Sequence, residues 1–132
     1  MRRVLMSLCV VSALAACGGD DLASPQGNPD YSLTTSVASA VVPRGQTGST
    51  TLTLLRTDGY ANTITLSAEN VPTGVTVLFV PPTVDQSRTS SVATISVSAA
   101  AATGTNVLTF RSTGTGTAAK TVTYSLTVPA TP

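Results

Sequence analysis

The side chains able to perform acid–base or nucleophilic chemistry are few in this 132-residue sequence. It contains no histidine and two cysteines, Cys9 and Cys17. Histidine is the usual base for a Ser or Cys nucleophile and the commonest metal ligand, so its absence argues against both kinds of site. The remaining candidates are six acids: Asp20, Asp21, Asp30, Asp58, Glu69 and Asp85.

A pair of carboxylates could still cleave a glycosidic bond. The three acids nearest the N-terminus lie in or beside a Gly-, Ser- and Pro-rich stretch, which is typical of a solvated linker. A pair would therefore have to come from Asp58, Glu69 and Asp85, and nothing in the sequence brings two of these together. We predict that the protein is not an enzyme and that it needs neither a metal nor a cofactor.

The N-terminal segment has the three zones of a secretory signal. Arg2 and Arg3 supply a positive start, and an apolar run extends from Val4 to about Leu14. Small residues follow at Ala15 and Ala16. The apolar run is shorter than the roughly 20 residues that a membrane span requires. The pattern predicts a cleaved signal peptide over residues 1–16.

The string Leu14-Ala15-Ala16-Cys17 resembles the lipobox of bacterial lipoproteins. The resemblance implies cleavage before Cys17, a diacylglycerol thioether on its sulfur, and a fatty acyl chain such as palmitate on its new α-amino group. It also favours the outer membrane, since Gly18 replaces the aspartate that tends to retain lipoproteins at the inner one. An ordinary signal peptide with an incidental cysteine is the alternative.

Residues 17–29 read as a lipidated cysteine and a flexible tether. Without residues 1–16 the chain holds one cysteine, which can form no internal disulfide. The twelve residues from Gly18 to Pro29 are small, polar and Pro-containing, and they reach at most about 40 Å when extended. The sequence thus predicts a domain held close to a membrane by lipid on Cys17.

Charge excludes one class of partner. The net charge is +1, and removal of the leader leaves five cations and six acids. The five cations are scattered along the chain, whereas nucleic-acid binding needs a basic patch. Nucleic acid is therefore not an expected partner.

Short alternating segments separated by turn residues dominate residues 30–129, and they predict an all-β domain. Thr and Val are abundant, and both favour strands. We predict seven antiparallel strands with threonine-rich solvent faces. The strands are marked by Tyr31, Leu33 and Val37; Leu52 and Leu54; Ile64 and Leu66; Val75, Val77 and Phe79; Ala93, Ile95 and Val97; Leu108 and Phe110; and Val122, Tyr124, Leu126 and Val128.

Several strings over residues 31–128 resemble bacterial immunoglobulin-like modules of secreted and surface proteins. They are Val42-Pro43-Arg44-Gly45, Arg56-Thr57-Asp58-Gly59-Tyr60, Ile64-Thr65-Leu66, Val71-Pro72-Thr73-Gly74-Val75 and Gly104-Thr105 leading into Val107-Leu108-Thr109-Phe110. The resemblance implies an immunoglobulin-like β-sandwich without a disulfide and an extracytoplasmic accessory role. It implies no active site.

These patterns favour a structural or protein-interaction module of the cell envelope, with an unidentified envelope or extracellular protein as its partner. A carbohydrate-binding surface module is the alternative. The sequence has no Trp, and Tyr60 is the one candidate for an exposed ring, although a packed loop tyrosine fits equally. The turn Asp58-Gly59-Tyr60 is therefore the predicted ligand-contact loop, because it joins a ring and a carboxylate.

Overall fold

The computed structural model describes residues 27–131, and the predicted leader and Cys17 lie outside them. Nine strands and no helix are present between residues 27 and 131. The strands are β1 (Asp30–Thr35), β2 (Ser39–Val41), β3 (Thr47–Thr57), β4 (Ile64–Glu69), β5 (Val75–Val80), β6 (Thr83–Val84), β7 (Ser90–Val97), β8 (Gly104–Gly114) and β9 (Lys120–Val128). The all-β prediction is confirmed.

The strands form two sheets. One sheet has four strands in the order β1-β3-β7-β5, and the other has five in the order β2-β9-β8-β4-β6. All neighbours are antiparallel except β2 and β9, which run parallel. The prediction of seven antiparallel strands is therefore wrong in the number of strands and in one pairing.

The first predicted strand is divided because the chain changes sheets within it. Ser36 still donates its N–H to the Thr51 carbonyl in the four-stranded sheet, at 2.8 Å. Two residues later the Ala38 carbonyl accepts from Ser125 N–H in the five-stranded sheet, at 2.9 Å. Val37 lies at the crossing and is half exposed, so it belongs to neither strand. The second additional strand, β6, is a two-residue pairing with β4.

The core lies between the two sheets and is built by the alternation that the sequence shows. Six of the residues that mark the predicted strands are buried in it: Leu54, Ile64, Leu66, Ile95, Phe110 and Leu126. Phe110 lies at the centre of an aromatic group, with the Phe79 ring edge-on at 5.7 Å and the Tyr124 ring at 5.3 Å.

The outer face of the four-stranded sheet departs from the predicted threonine coat. Leu78 and Val80 on β5, Val92 on β7 and Leu55 on β3 are exposed there. Val80 is paired directly with Val92, so these two side chains and Leu78 form one apolar strip beside the sheet edge at β5. Leu55 lies on β3, next to β1 and away from that edge.

Candidate functional site

The predicted ligand-contact loop joins the two sheets. Asp58 and Gly59 both have positive φ, at 50° and 77°, and Tyr60 N–H donates to the Thr57 carbonyl at 3.1 Å. This is the geometry of a tight turn with two left-handed residues, for which Asp-Gly is a favoured sequence. The turn lies between β3 of one sheet and β4 of the other, so it sits at one end of the sandwich.

The Tyr60 ring is packed inside the domain. It is 4% exposed, and its hydroxyl donates to the Thr115 carbonyl at 3.1 Å. The Tyr31 ring lies 5.3 Å away and the Arg56 guanidinium 5.9 Å from the ring centroid. Burial raises the pKa of Tyr60 above its usual value. Of the two readings that the sequence left open, the exposed ring is wrong and the packed ring is confirmed.

A glycine on the neighbouring hairpin makes room for this ring. Gly114 ends β8, and a Cβ placed on it would overlap the Tyr60 hydroxyl oxygen and lie 3.0 Å from Cζ of the same ring. The contact joins residues 54 positions apart in the chain, so no local pattern marks it. Residues 115–119, which follow Gly114, form the loop that connects β8 to β9.

The burial of aromatic rings is general. The chain has three Tyr, two Phe and no Trp, and all five rings belong to the core: Tyr31, Tyr60, Phe79, Phe110 and Tyr124. Sugar platforms use exposed aromatic faces. The structure therefore offers no ring on which a sugar could stack.

An open cleft of about 630 Å³ lies at the end of the sandwich where the predicted tether joins the domain. Its centre is an ion pair between Asp30, the first residue of β1, and Lys120, the first residue of β9, with Nζ 2.9 Å from Oδ2. The cleft is completed by Asn28, Pro29, Tyr60, Asn62, Thr115, Gly116, Thr117 and Ala118. Asp58 and Gly59 do not line it.

The Asp30 carboxylate is held in its ionised form. The Thr117 hydroxyl donates to Oδ1 and Lys120 donates to Oδ2. These hydrogen bonds, with that of Thr117 the larger influence, lower the pKa of Asp30 from 3.8 to about 2. Lys120 also lies 5.9 Å from the centroid of the Tyr31 ring. A carboxylate so fixed is a weak base, and the pair fastens β1 to β9 across the end of the sandwich.

The other acids of the described residues are separate from this pair. Glu69 accepts from Arg111 at 3.2 Å on the surface of the five-stranded sheet. Asp85 accepts from the Ser87 backbone N–H at 2.9 Å, and its hydrogen bonds to Ser87 lower its pKa. Between residues 27 and 131, no three acids or other metal-binding side chains lie close enough together to hold a metal ion.

Comparisons with known proteins find similarity in structure alone. No protein-family model and no curated protein matches the sequence. Domains 4 and 5 of the S-layer protein SbsC superpose with a TM-score of 0.55 at 15% identity, over 78% of this chain and 54% of that one. A conjugative transposon lipoprotein from Bacteroides eggerthii gives 0.53 at 8% identity, over 73% of this chain and 95% of that one.

A family 123 glycoside hydrolase from Clostridium perfringens gives a TM-score of 0.56 at 10% identity. This chain covers 28% of that enzyme and about half of the S-layer fragment. No helix in the described part of this chain is long and apolar enough to cross a membrane. The similarities show the fold alone, an all-β sandwich.

Proposed function

We propose that the chain is a lipid-anchored cell-envelope protein whose β-sandwich works by contact and not by catalysis. The observation that carries the proposal is the state of the carboxylates. Asp30, Glu69 and Asp85 each have a local hydrogen-bonding partner, and the Asp58 carboxylate lies on an exposed turn beside Gly27. A domain of this kind offers loops and strand edges to a partner.

We infer further that the sandwich is of the immunoglobulin type. In that fold one sheet has the order A-B-E-D and the other contains C, F and G. If β1, β3, β4, β5, β7, β8 and β9 are equated with A to G in chain order, the observed orders become A-B-E-D and G-F-C. This correspondence supports the assignment. The short strands β2 and β6 are additions at the edges of the five-stranded sheet.

The anchor is proposed from the lipobox resemblance at Leu14 to Cys17, with the outer membrane favoured by Gly18. Two or more acyl chains give stable membrane binding, because each buried CH₂ contributes about 0.8 kcal/mol. The lipoprotein among the similar structures is consistent with an envelope location.

Mass spectrometry of the membrane fraction tests the anchor. We expect an acylated N-terminal peptide that begins at Cys17, and we expect Cys17→Ser to lose the acyl mass and leave the membrane. Cys9→Ser is the matched control, because Cys9 lies within the predicted leader and its loss should leave anchoring unchanged. An anchored and normally processed Cys17→Ser protein contradicts the proposal.

The non-catalytic character is tested by a broad hydrolase panel on the purified protein. We expect no turnover. Turnover that Asp58→Asn or Asp85→Asn abolishes would show that the domain is an enzyme. The carbohydrate-binding alternative is not carried forward, because all five aromatic rings are buried.

A further inference from the structure

The edge of the four-stranded sheet at β5 differs from the other edges in the described part of the chain. The five-stranded sheet ends in β2, with three residues, and β6, with two. The edge strand β1 is longer, but its exposed residues are polar. β5 has six residues, and the stretch 71–84 around it carries no charge. Short strands and charges are the usual protection of sheet edges, and β5 has neither.

Alternation of hydrogen bonds shows which residues of β5 face the open edge. Ser98 N–H donates to the Gly74 carbonyl just beyond the paired ends of β7 and β5. The hydrogen-bonded pairs between these two strands are therefore the even-numbered ones. Val97 N–H donates to the Gln46 carbonyl, so odd-numbered residues of β7 face β3. Since backbone groups alternate in direction along an antiparallel strand, the even-numbered residues of β5 bond to β7 and the odd-numbered ones point outward.

The outward donors on β5 have a symmetric pattern. Val77 and Phe79 present N–H groups to the open edge. Val75 N–H, at the next outward position, already donates to the Pro72 carbonyl at 3.1 Å. On the other side β5 ends at Val80. Pro81, the residue after it, has no N–H, and its carbonyl accepts from the Ser91 hydroxyl of β7 at 2.6 Å. Free N–H donors therefore lie at Val77 and Phe79, one residue on each side of Leu78. Positions 75 and 81, three residues away on each side, have no free N–H.

This pattern is complementary to itself. In an antiparallel pair of two β5 strands centred on Leu78, Val77 lies opposite Phe79 of the other copy, and each exchanges N–H and C=O groups with it. Val75 lies opposite Pro81 of the other copy, so the two positions without a free donor meet and no N–H is left without an acceptor. The absence of charge removes any repulsion between the copies.

The side chains agree with the same register. Leu78 and Val80 are 60% and 57% exposed on the outer face, and Val92 of β7 lies beside Val80. Pairing about Leu78 places the two Leu78 side chains directly opposite each other, and it places Val80 opposite Thr76. The apolar strips of the two copies then lie side by side on the outer face of the joined sheet, where cross-strand side-chain contacts stabilise the pair.

We propose that this chain associates with a second copy of itself by antiparallel pairing of β5 with β5, centred on Leu78. The two four-stranded sheets become one continuous sheet of eight strands. The contact is formed by one six-residue strand of each copy, which is small compared with a standard interface that buries about 1,600 Å². We therefore expect the association to be weak and concentration-dependent.

Disulfide trapping tests the register on the full chain in its own membrane. In the proposed pair the two residues at position 78 form a non-hydrogen-bonded pair with Cα atoms about 4.5 Å apart, which a disulfide can bridge. We expect oxidation of Leu78→Cys to give a covalent dimer, at least about fivefold above Leu55→Cys. Leu55 is the matched control, because it is 64% exposed on the same sheet but away from β5. The unsubstituted protein reports any background from Cys17.

A mixed experiment tests the register a second time. Thr76→Cys and Val80→Cys chains, expressed together, should link to each other, whereas Thr76→Cys alone should not. These positions are exposed, and circular dichroism of each variant confirms that it folds.

Charge gives an independent measurement of the same contact. Leu78→Lys should weaken self-association of the full chain in detergent at least about tenfold, because two like charges then stand directly opposite each other. A mixture of Leu78→Lys and Leu78→Glu should restore it. A protein that stays monomeric at high concentration overturns the proposal, as does equal trapping at positions 55 and 78 or capture of a different protein at position 78.

Discussion

Gly114 offers a direct test of how the end of the sandwich is packed. Its backbone lies outside the left-handed region, so alanine meets no backbone strain there. The added Cβ would overlap the Tyr60 hydroxyl oxygen and lie 3.0 Å from Cζ of the same ring. It would also lie 3.3 Å from Cε1 of Tyr31. Tyr60 would have to move, and its hydrogen bond to the Thr115 carbonyl would be lost. Gly114→Ala should therefore destabilise the domain through overpacking and the lost hydrogen bond, without backbone strain.

The magnitude follows from three contributions. Overpacking of a core site costs about 1–3 kcal/mol, and a lost hydrogen bond costs about 0.5–1.5 kcal/mol. Alanine also reduces the freedom of the unfolded chain, which returns about 0.4–1 kcal/mol. The net expected loss is about 0.5–4 kcal/mol, compared with the roughly 5–15 kcal/mol by which a domain is stable. Urea unfolding followed by circular dichroism measures it, with the m-value unchanged.

Two further variants distinguish this explanation from a general intolerance of the loop. Gly116→Ala adds a methyl group with no atom within 4 Å but at φ of +82°, so it reports backbone strain alone, at about 1–2 kcal/mol. Tyr60→Phe removes the oxygen that the new Cβ meets, while the Thr115 carbonyl keeps its hydrogen bond from Asn62 Nδ2 at 3.0 Å. In the Tyr60→Phe background the cost of Gly114→Ala should fall by about 1 kcal/mol or more. An equal cost in both backgrounds would refute the reasoning.

Three other outcomes are expected. The Asp30 pKa of about 2 means that its stabilising effect is present above the usual 3.8 and is lost as the pH falls through 2. The unsubstituted protein should therefore have a higher Tm than Asp30→Asn above pH 3.8, and this difference should disappear as the pH falls from 3.8 to about 2. Burial raises the pKa of Tyr124, so stability is lost as the pH rises beyond 10.0. Because the hydroxyl is buried without a partner, Tyr124→Phe should reduce that loss without lowering stability at neutral pH. Leu126→Ala should cost about 2–5 kcal/mol, and exposed Thr65→Ala little, in urea unfolding.

The sequence predicted those parts of the fold that depend on residues close together in the chain. Alternation placed Ile64, Leu66 and Ile95 in the core, because a period of two fixes which face of a strand a residue occupies. The Asp58-Gly59 turn was predictable because it also depends on neighbouring residues alone. Asp followed by Gly suits positive φ at both positions.

Features that depend on distant contacts were not predictable. The Tyr60 ring is buried because Gly114 lies beneath it, and a pattern around residue 60 contains no sign of residue 114. Asp30 was placed at the start of the predicted domain, beside the tether, but nothing near it in the sequence indicated that it pairs with Lys120, 90 residues later. The change of sheet at Val37 was missed because alternation continues across it in the sequence.

The proposed anchor and the proposed pairing together restrict how the pair of domains can lie on the membrane. Antiparallel pairing within one sheet is related by a two-fold axis perpendicular to that sheet, so the cleft ends of the two copies point in opposite directions. If the strands stood upright, one copy would have its tether about 36 Å farther from the lipid, given strands of 11 residues at about 3.3 Å each.

With the axis along the membrane normal, both tethers begin at the same height and the sheets lie flat. Deleting residues 20–25 shortens the tether's reach from about 40 to about 20 Å. The flat arrangement predicts that Leu78→Cys chains still cross-link in the membrane after this deletion. A cross-link that the deletion abolishes, while folding and anchoring persist, would mean that the strands stand upright.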